Sequence, residues 1–106
     1  MNQLGLYREA RGQFRAAEPL YRRALAIDEQ SYGPDHPTVA TRLNNLALLL
    51  RATNRLGEAE PLYRRAVQIL IEFQRRTGHE HPNFRVTRAN YYGLLEELGK
   101  TPDQVE

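Results

Sequence analysis

Eight consecutive residues occur twice in this chain. Ala17-Glu18-Pro19-Leu20-Tyr21-Arg22-Arg23-Ala24 returns without a change as Ala59-Glu60-Pro61-Leu62-Tyr63-Arg64-Arg65-Ala66, 42 residues further on. Behind the first copy stands Gly33-Pro34-Asp35-His36-Pro37, echoed as Gly78-His79-Glu80-His81-Pro82. Ahead of it, Leu4-Gly5-Leu6 falls on Leu46-Ala47-Leu48 at the same displacement of 42. Self-similarity at a fixed period of this size marks a stack of supersecondary units, each of which buries its apolar face only against a neighbour. The repeat therefore decides the fold class and directs the search for function to a binding surface.

Within each unit the apolar residues recur at steps of three and four, the period of an amphipathic helix. Leu4 with Leu6 or Tyr7 gives a short first helix over 1–11, and Gly12 and Gln13 are expected to break it. A second helix follows from Arg15 to Ser31, with Pro19 near its first turn, where a missing N–H costs little. Gly33 and Pro34 end it. Pro37 suits the first position of a third helix, which makes His36 or Asp35 its cap; Leu43, Leu46, Ala47 and Leu50 form its core stripe. Asn54 and Arg55 turn the chain into a fourth helix from Leu56 to Arg76, longer than its predecessor by about one turn. Pro82 opens a fifth, ending at Leu98 before Gly99. Thr101-Pro102-Asp103-Gln104 has the pattern of a further helix start.

At Ala17, Tyr21 and Ala24, with Leu4-Gly5 ahead of them, the pattern resembles the tetratricopeptide repeat. The spacing of 42, the Ala-Glu-Pro-Leu-Tyr-Arg-Arg-Ala signature and the Gly-Pro-Asp-His-Pro loop are similar to its kinesin light chain-like subclass. The resemblance implies an all-α, right-handed superhelix of antiparallel hairpins, with about five helices in one domain over 1–106. Its parts are a partial repeat over 1–31, a full repeat over 37–76, and a terminal helix over 82–98 with a short tail over 99–106. It further implies that the first, third and fifth helices line a concave groove for a peptide. The groove positions are then Thr41, Asn44 or Asn45, Leu48, Arg51 and Ala52 on the third helix, and Val86, Asn90, Gly93 and Glu97 on the fifth. Gln3, Leu6 and Ala10 contribute from the first. Asn45 and Asn90 occupy equivalent places, and each amide can donate and accept at once. Arg88 and Tyr92 depart from the pattern, standing where Leu43 and Ala47 stand one repeat earlier.

Two other classes of function compete with peptide binding. Tyr91, Tyr92, Leu94, Leu95 and Leu98 of the fifth helix, which lacks a following partner, would form an apolar patch for self-association as a dimer or a stack. Arg22-Arg23, Arg64-Arg65 and Arg75-Arg76 could track a nucleic-acid backbone, but glutamates sit one turn before the first two pairs and no aromatic residues interleave as stacking platforms. All 15 basic residues except Lys100 are arginine, yet the net charge is only +2.

Chemistry finds little to work with. His79 and His81 flank Glu80 without a strong third ligand, so a loop role is expected rather than a metal. Glu96 and Glu97 are neighbours on a helix and diverge by about a hundred degrees, which disfavours acid–base work on one bond. No glycine-rich phosphate loop is present. A non-catalytic module with protein partners and no cofactor is the expectation. The 106 residues contain no cysteine, which excludes disulfides and fits a reducing, cytoplasmic setting. The longest apolar run, Leu46 to Leu50, is far too short to span a bilayer.

Overall fold

The computed structural model describes residues 3–100, and side chains from residue 12 onward. Four α-helices follow one another: α1 Gln3–Tyr32, α2 Pro37–Ala52, α3 Leu56–Thr77 and α4 Phe84–Glu97. Each packs antiparallel against the next, and α4 also lies beside α2. The pattern Thr101 to Gln104 lies outside the described residues.

The α2–α3 hairpin is built as the sequence dictates. His36 takes an extended conformation and its Nδ1 accepts from the Thr38 N–H at 3.1 Å, while Pro37 fills the first helical position. The hairpin turns on Asn54, which adopts a left-handed φ of 62°. Asparagine is among the residues that tolerate this region best. Arg55 then donates its N–H to the Leu50 carbonyl at 2.8 Å, closing the last turn of α2. Gly78 ends α3 in the same left-handed region.

The core has two parts. Val39, Ala40 and Leu43 of α2 meet Ala66, Ile69 and Leu70 of α3. Leu46, Ala47 and Leu50 of α2, Ala59 and Tyr63 of α3, and Tyr91, Leu94 and Leu95 of α4 form the other. The small residues Ala47, Ala59 and Ala66 let the helices approach, and the Tyr63 ring fills the space so created. Among the described residues its hydroxyl makes no well-formed hydrogen bond, and burial, outweighing the nearby Arg51 guanidinium, pushes its ionisation above the usual phenol range.

Two sequence expectations give way. The first concerns α1: the helix runs through Gly12 and Gln13 without a break, so the two helices read there are one, and the described residues form four helices where about five were expected. A glycine in a helix interior costs only about 1 kcal/mol relative to alanine, too little to force a break. Pro19 consequently lies deep inside the helix and not in its first turn. The second concerns α4. Asn83 lends its N–H to His81 Nδ1 at 3.1 Å, repeating the His36 bond, but Pro82 and Asn83 form a turn and the helix begins only at Phe84. Its buried residues Thr87, Tyr91 and Leu94 therefore stand 44 places after Leu43, Ala47 and Leu50, whereas the loop before it stands 45 places after its counterpart. One residue is about 100° of helix rotation. Arg88 and Tyr92 thus turn outward and do not occupy the places of Leu43 and Ala47.

Charged contacts tie α1 to the hairpin. Glu18 receives Arg22 at 3.0 Å and also Arg55, which at the same time grips Glu58 at 2.6 Å. Further along, Arg65 reaches Glu29 at 3.0 Å and the Pro34 carbonyl at 3.0 Å. Arg42 meets the largely buried Asp28 at 2.7 Å. Burial opposes the charge on Glu18, but bonds from Arg22 and Arg55 outweigh it and hold the carboxyl below its ordinary value of 4.5.

Two outcomes follow from this packing. Tyr63→Ala should cost about 3–5 kcal/mol in chemical denaturation, whereas Tyr63→Phe, which only removes an unpartnered hydroxyl, should leave stability unchanged or raise it. The Glu18 contribution is fully present above 4.5 and is lost as the pH falls through its lower folded value. Thermal melts on acidification below 4.5 should therefore fall less steeply for Glu18→Gln than for the wild type.

Candidate functional site

Helices α2 and α4 lie side by side, and the residues between them form a polar seam. Helical spacing puts Asn44, Leu48 and Arg51 on one stripe of α2, and Val86, Asn90, Gly93 and Glu97 on one stripe of α4. The stripes meet. Asn90 donates Nδ2 to Asn44 Oδ1 at 3.3 Å. Arg51 pairs with Glu97 and gives a second N–H to the Asn90 carbonyl at 3.3 Å. Its guanidinium spreads over Gly93, where a Cβ would come within 3.1 Å of a terminal nitrogen. At the other end of the seam Asn83 donates Nδ2 to Thr41 Oγ1 at 3.2 Å.

Most of the positions read as a groove adjoin along this seam, but Asn45 and Asn90 are not paired across it. Thr41, Asn44, Arg51, Asn90, Gly93 and Glu97 come together, while Asn45 turns to the opposite side of α2. There it lines a recess of about 180 Å³ with Tyr21, Ala24 and Arg42. Asn44 is the amide that meets Asn90, because successive residues on α2 diverge by about 100° and Asn45 is turned towards α1. Leu48 and Val86 stand exposed beside the seam, at 40% and 53%, and Ala52 is exposed at its end. The side chains of Gln3, Leu6 and Ala10 lie outside those described.

The apolar patch read on α4 is not open. Leu94 and Leu95 are completely buried and Tyr91 nearly so, because they are the residues by which α4 packs on α2 and α3. Tyr91 also donates its hydroxyl to Glu60 at 2.7 Å; burial and that carboxylate together raise its ionisation well above the phenol range. Leu98 is half-buried against the same core, and Tyr92 alone of the five is exposed.

The arginine pairs are largely spoken for. Arg22, Arg64, Arg65 and Arg75 lie within ion-pair distance of Glu18, Glu60, Glu29 and Glu72, which leaves little free charge for a phosphate backbone. Among the described residues no group of three histidines or carboxylates gathers to hold a metal ion, and no helix is long and apolar enough to cross a membrane. A feature the sequence did not signal is a cleft of about 590 Å³ between the two cap loops, lined by His36, Thr41, Phe73, Arg76, His81 and Asn83. Phe73 meets the His81 ring edge-on at 5.2 Å, which ties the cleft wall to the cap of α4.

No curated protein matches the chain. A family model described as the tetratricopeptide repeat matches residues 1–72, which takes in the duplicated octapeptide and the whole α2 helix, and with the sequential antiparallel hairpins above it shows that the chain belongs to the tetratricopeptide repeat family.

Proposed function

We propose that this chain is a non-catalytic interaction module that holds an extended peptide along the seam between α2 and α4. The observation that carries the reading is the meeting of the two stripes: a polar floor bordered by the exposed apolar side chains Leu48 and Val86. Asn44 and Asn90 use only part of their capacity on each other. Among the described residues the Asn44 amide hydrogens and the Asn90 Oδ1 have no protein partner, so together they offer both a donor and an acceptor to a peptide backbone. Membership of a family that typically serves protein–protein contact supports the same reading. The repeat itself is taken as kinesin light chain-like, on the spacing of 42 and the two recurring signatures.

Because recognition by backbone hydrogen bonds and apolar contact depends little on net charge, capture of peptides from a library should survive an increase in salt. The nucleic-acid alternative would show a steep loss instead. Replacing both amides, Asn44→Ala with Asn90→Ala, should weaken peptide capture about tenfold or more, as expected for losing two hydrogen bonds, and leave helicity measured by circular dichroism unchanged. Undiminished capture by that double variant sinks the assignment of the seam.

A further inference from the structure

The duplicated octapeptide provides an internal control on burial. Tyr63 in the second copy is 0% exposed, whereas its identical counterpart Tyr21 is 41% exposed. Leu20, the counterpart of the half-buried Leu62, stands 61% exposed. Identical sequence in two different states points to a missing neighbour, not to a different intrinsic preference. What buries Tyr63 from the hairpin side is the stretch of α2 containing Leu46, Ala47, Leu49 and Leu50. Set back by 42 residues, Leu46, Ala47 and Leu49 fall on Leu4, Gly5 and Tyr7, an apolar and small set, while Leu50 falls on Arg8. Each chain therefore carries both a face and a segment patterned to cover it.

The two do not meet within one chain. Because α1 is continuous, Leu4 and Tyr21 are separated by about 25 Å along a single helix axis. The joint between them is identifiable: 42 residues before Asn54, whose φ of 62° turns the α2–α3 hairpin, stands Gly12. Glycine is the residue that reaches this conformation most easily, yet here it is helical and nothing packs within 4 Å of the position a Cβ would take. A turn residue drawn out into a straight helix, with a face and its complement parted on either side, is the arrangement of a protomer that exchanges a segment with its twin.

We infer that two copies of this chain form a dimer by exchange. The segment before Gly12 of each copy lies on the Leu20 and Tyr21 face of the other, repeating between chains the contact that α2 makes with α3 within one. Gly12 sets the balance, since a turn there would fold the segment back and give a closed monomer.

Light scattering over a wide concentration range, from micromolar upward, tests this directly. The wild type should pass reversibly from monomer to dimer. Gly12→Ala favours the straight helix and should tighten the dimer at least about fivefold. Leu20→Ser should weaken it roughly tenfold or more without lowering the melting temperature of the monomer, because Leu20 is already exposed in a single chain. The absence of native cysteine makes a disulfide readout clean: Leu4→Cys with Tyr21→Cys should oxidise to a covalent dimer. A disulfide closed within one chain, a particle monomeric at every concentration, or a dimer indifferent to Leu20→Ser would each overturn the exchange.

Discussion

The burial of one tyrosine ring holds this structure together. Tyr63 projects from α3 into the space where α2, α3 and α4 come nearest, and its ring lies 6.4 Å from that of Tyr91. A ring of this size fills a gap left open by alanines, so its contribution depends on Ala47 and Ala59 remaining small. The hydroxyl adds little: among the described residues it makes no well-formed hydrogen bond, although the Arg51 guanidinium lies near it, and the ring's area carries most of the contribution.

Polar contacts have a different role. The apolar core supplies most of the stabilisation but is tolerant of small rotations, whereas a hydrogen bond is not. The pairs Asn44 to Asn90 and Arg51 to Glu97 fix how α4 sits against α2, although neither helix is the other's hairpin partner. On the far side Arg55, the residue before α3, bridges Glu18 of α1 and Glu58 of α3. Being half-exposed, such ion pairs add little stability each. They serve as registration marks between helices whose apolar faces would accept several alignments.

Much of this was legible in the chain itself. The bounds of α2 and α3, the His36 cap, the Asn54 turn and the core alanines all follow from spacing and local chemistry. What escaped was decided by small energies or by rotation. Gly12 gives a turn or a helix at a difference of about 1 kcal/mol, beyond what local reading resolves. The one-residue offset of α4 arises from the turn at Pro82 and Asn83, and no periodicity in the helix announces it. That offset turned Tyr92 outward, while Asn45 missed the seam because it lies on the side of α2 that faces α1. The offset also placed Tyr91, and not Tyr92, where Ala47 stands a repeat earlier.

Gly93 has a role larger than its size. The Arg51 guanidinium rests directly on its backbone, and only hydrogen occupies the place of a side chain. An added Cβ would stand 3.1 Å from a terminal nitrogen of Arg51, so the guanidinium would have to shift by a few tenths of an ångström from its place between Asn90 and Glu97. The bare backbone at position 93 therefore leaves room for one arginine to clamp both neighbours at once, so that the step from α2 to α4 is latched by a side chain and not by apolar packing alone.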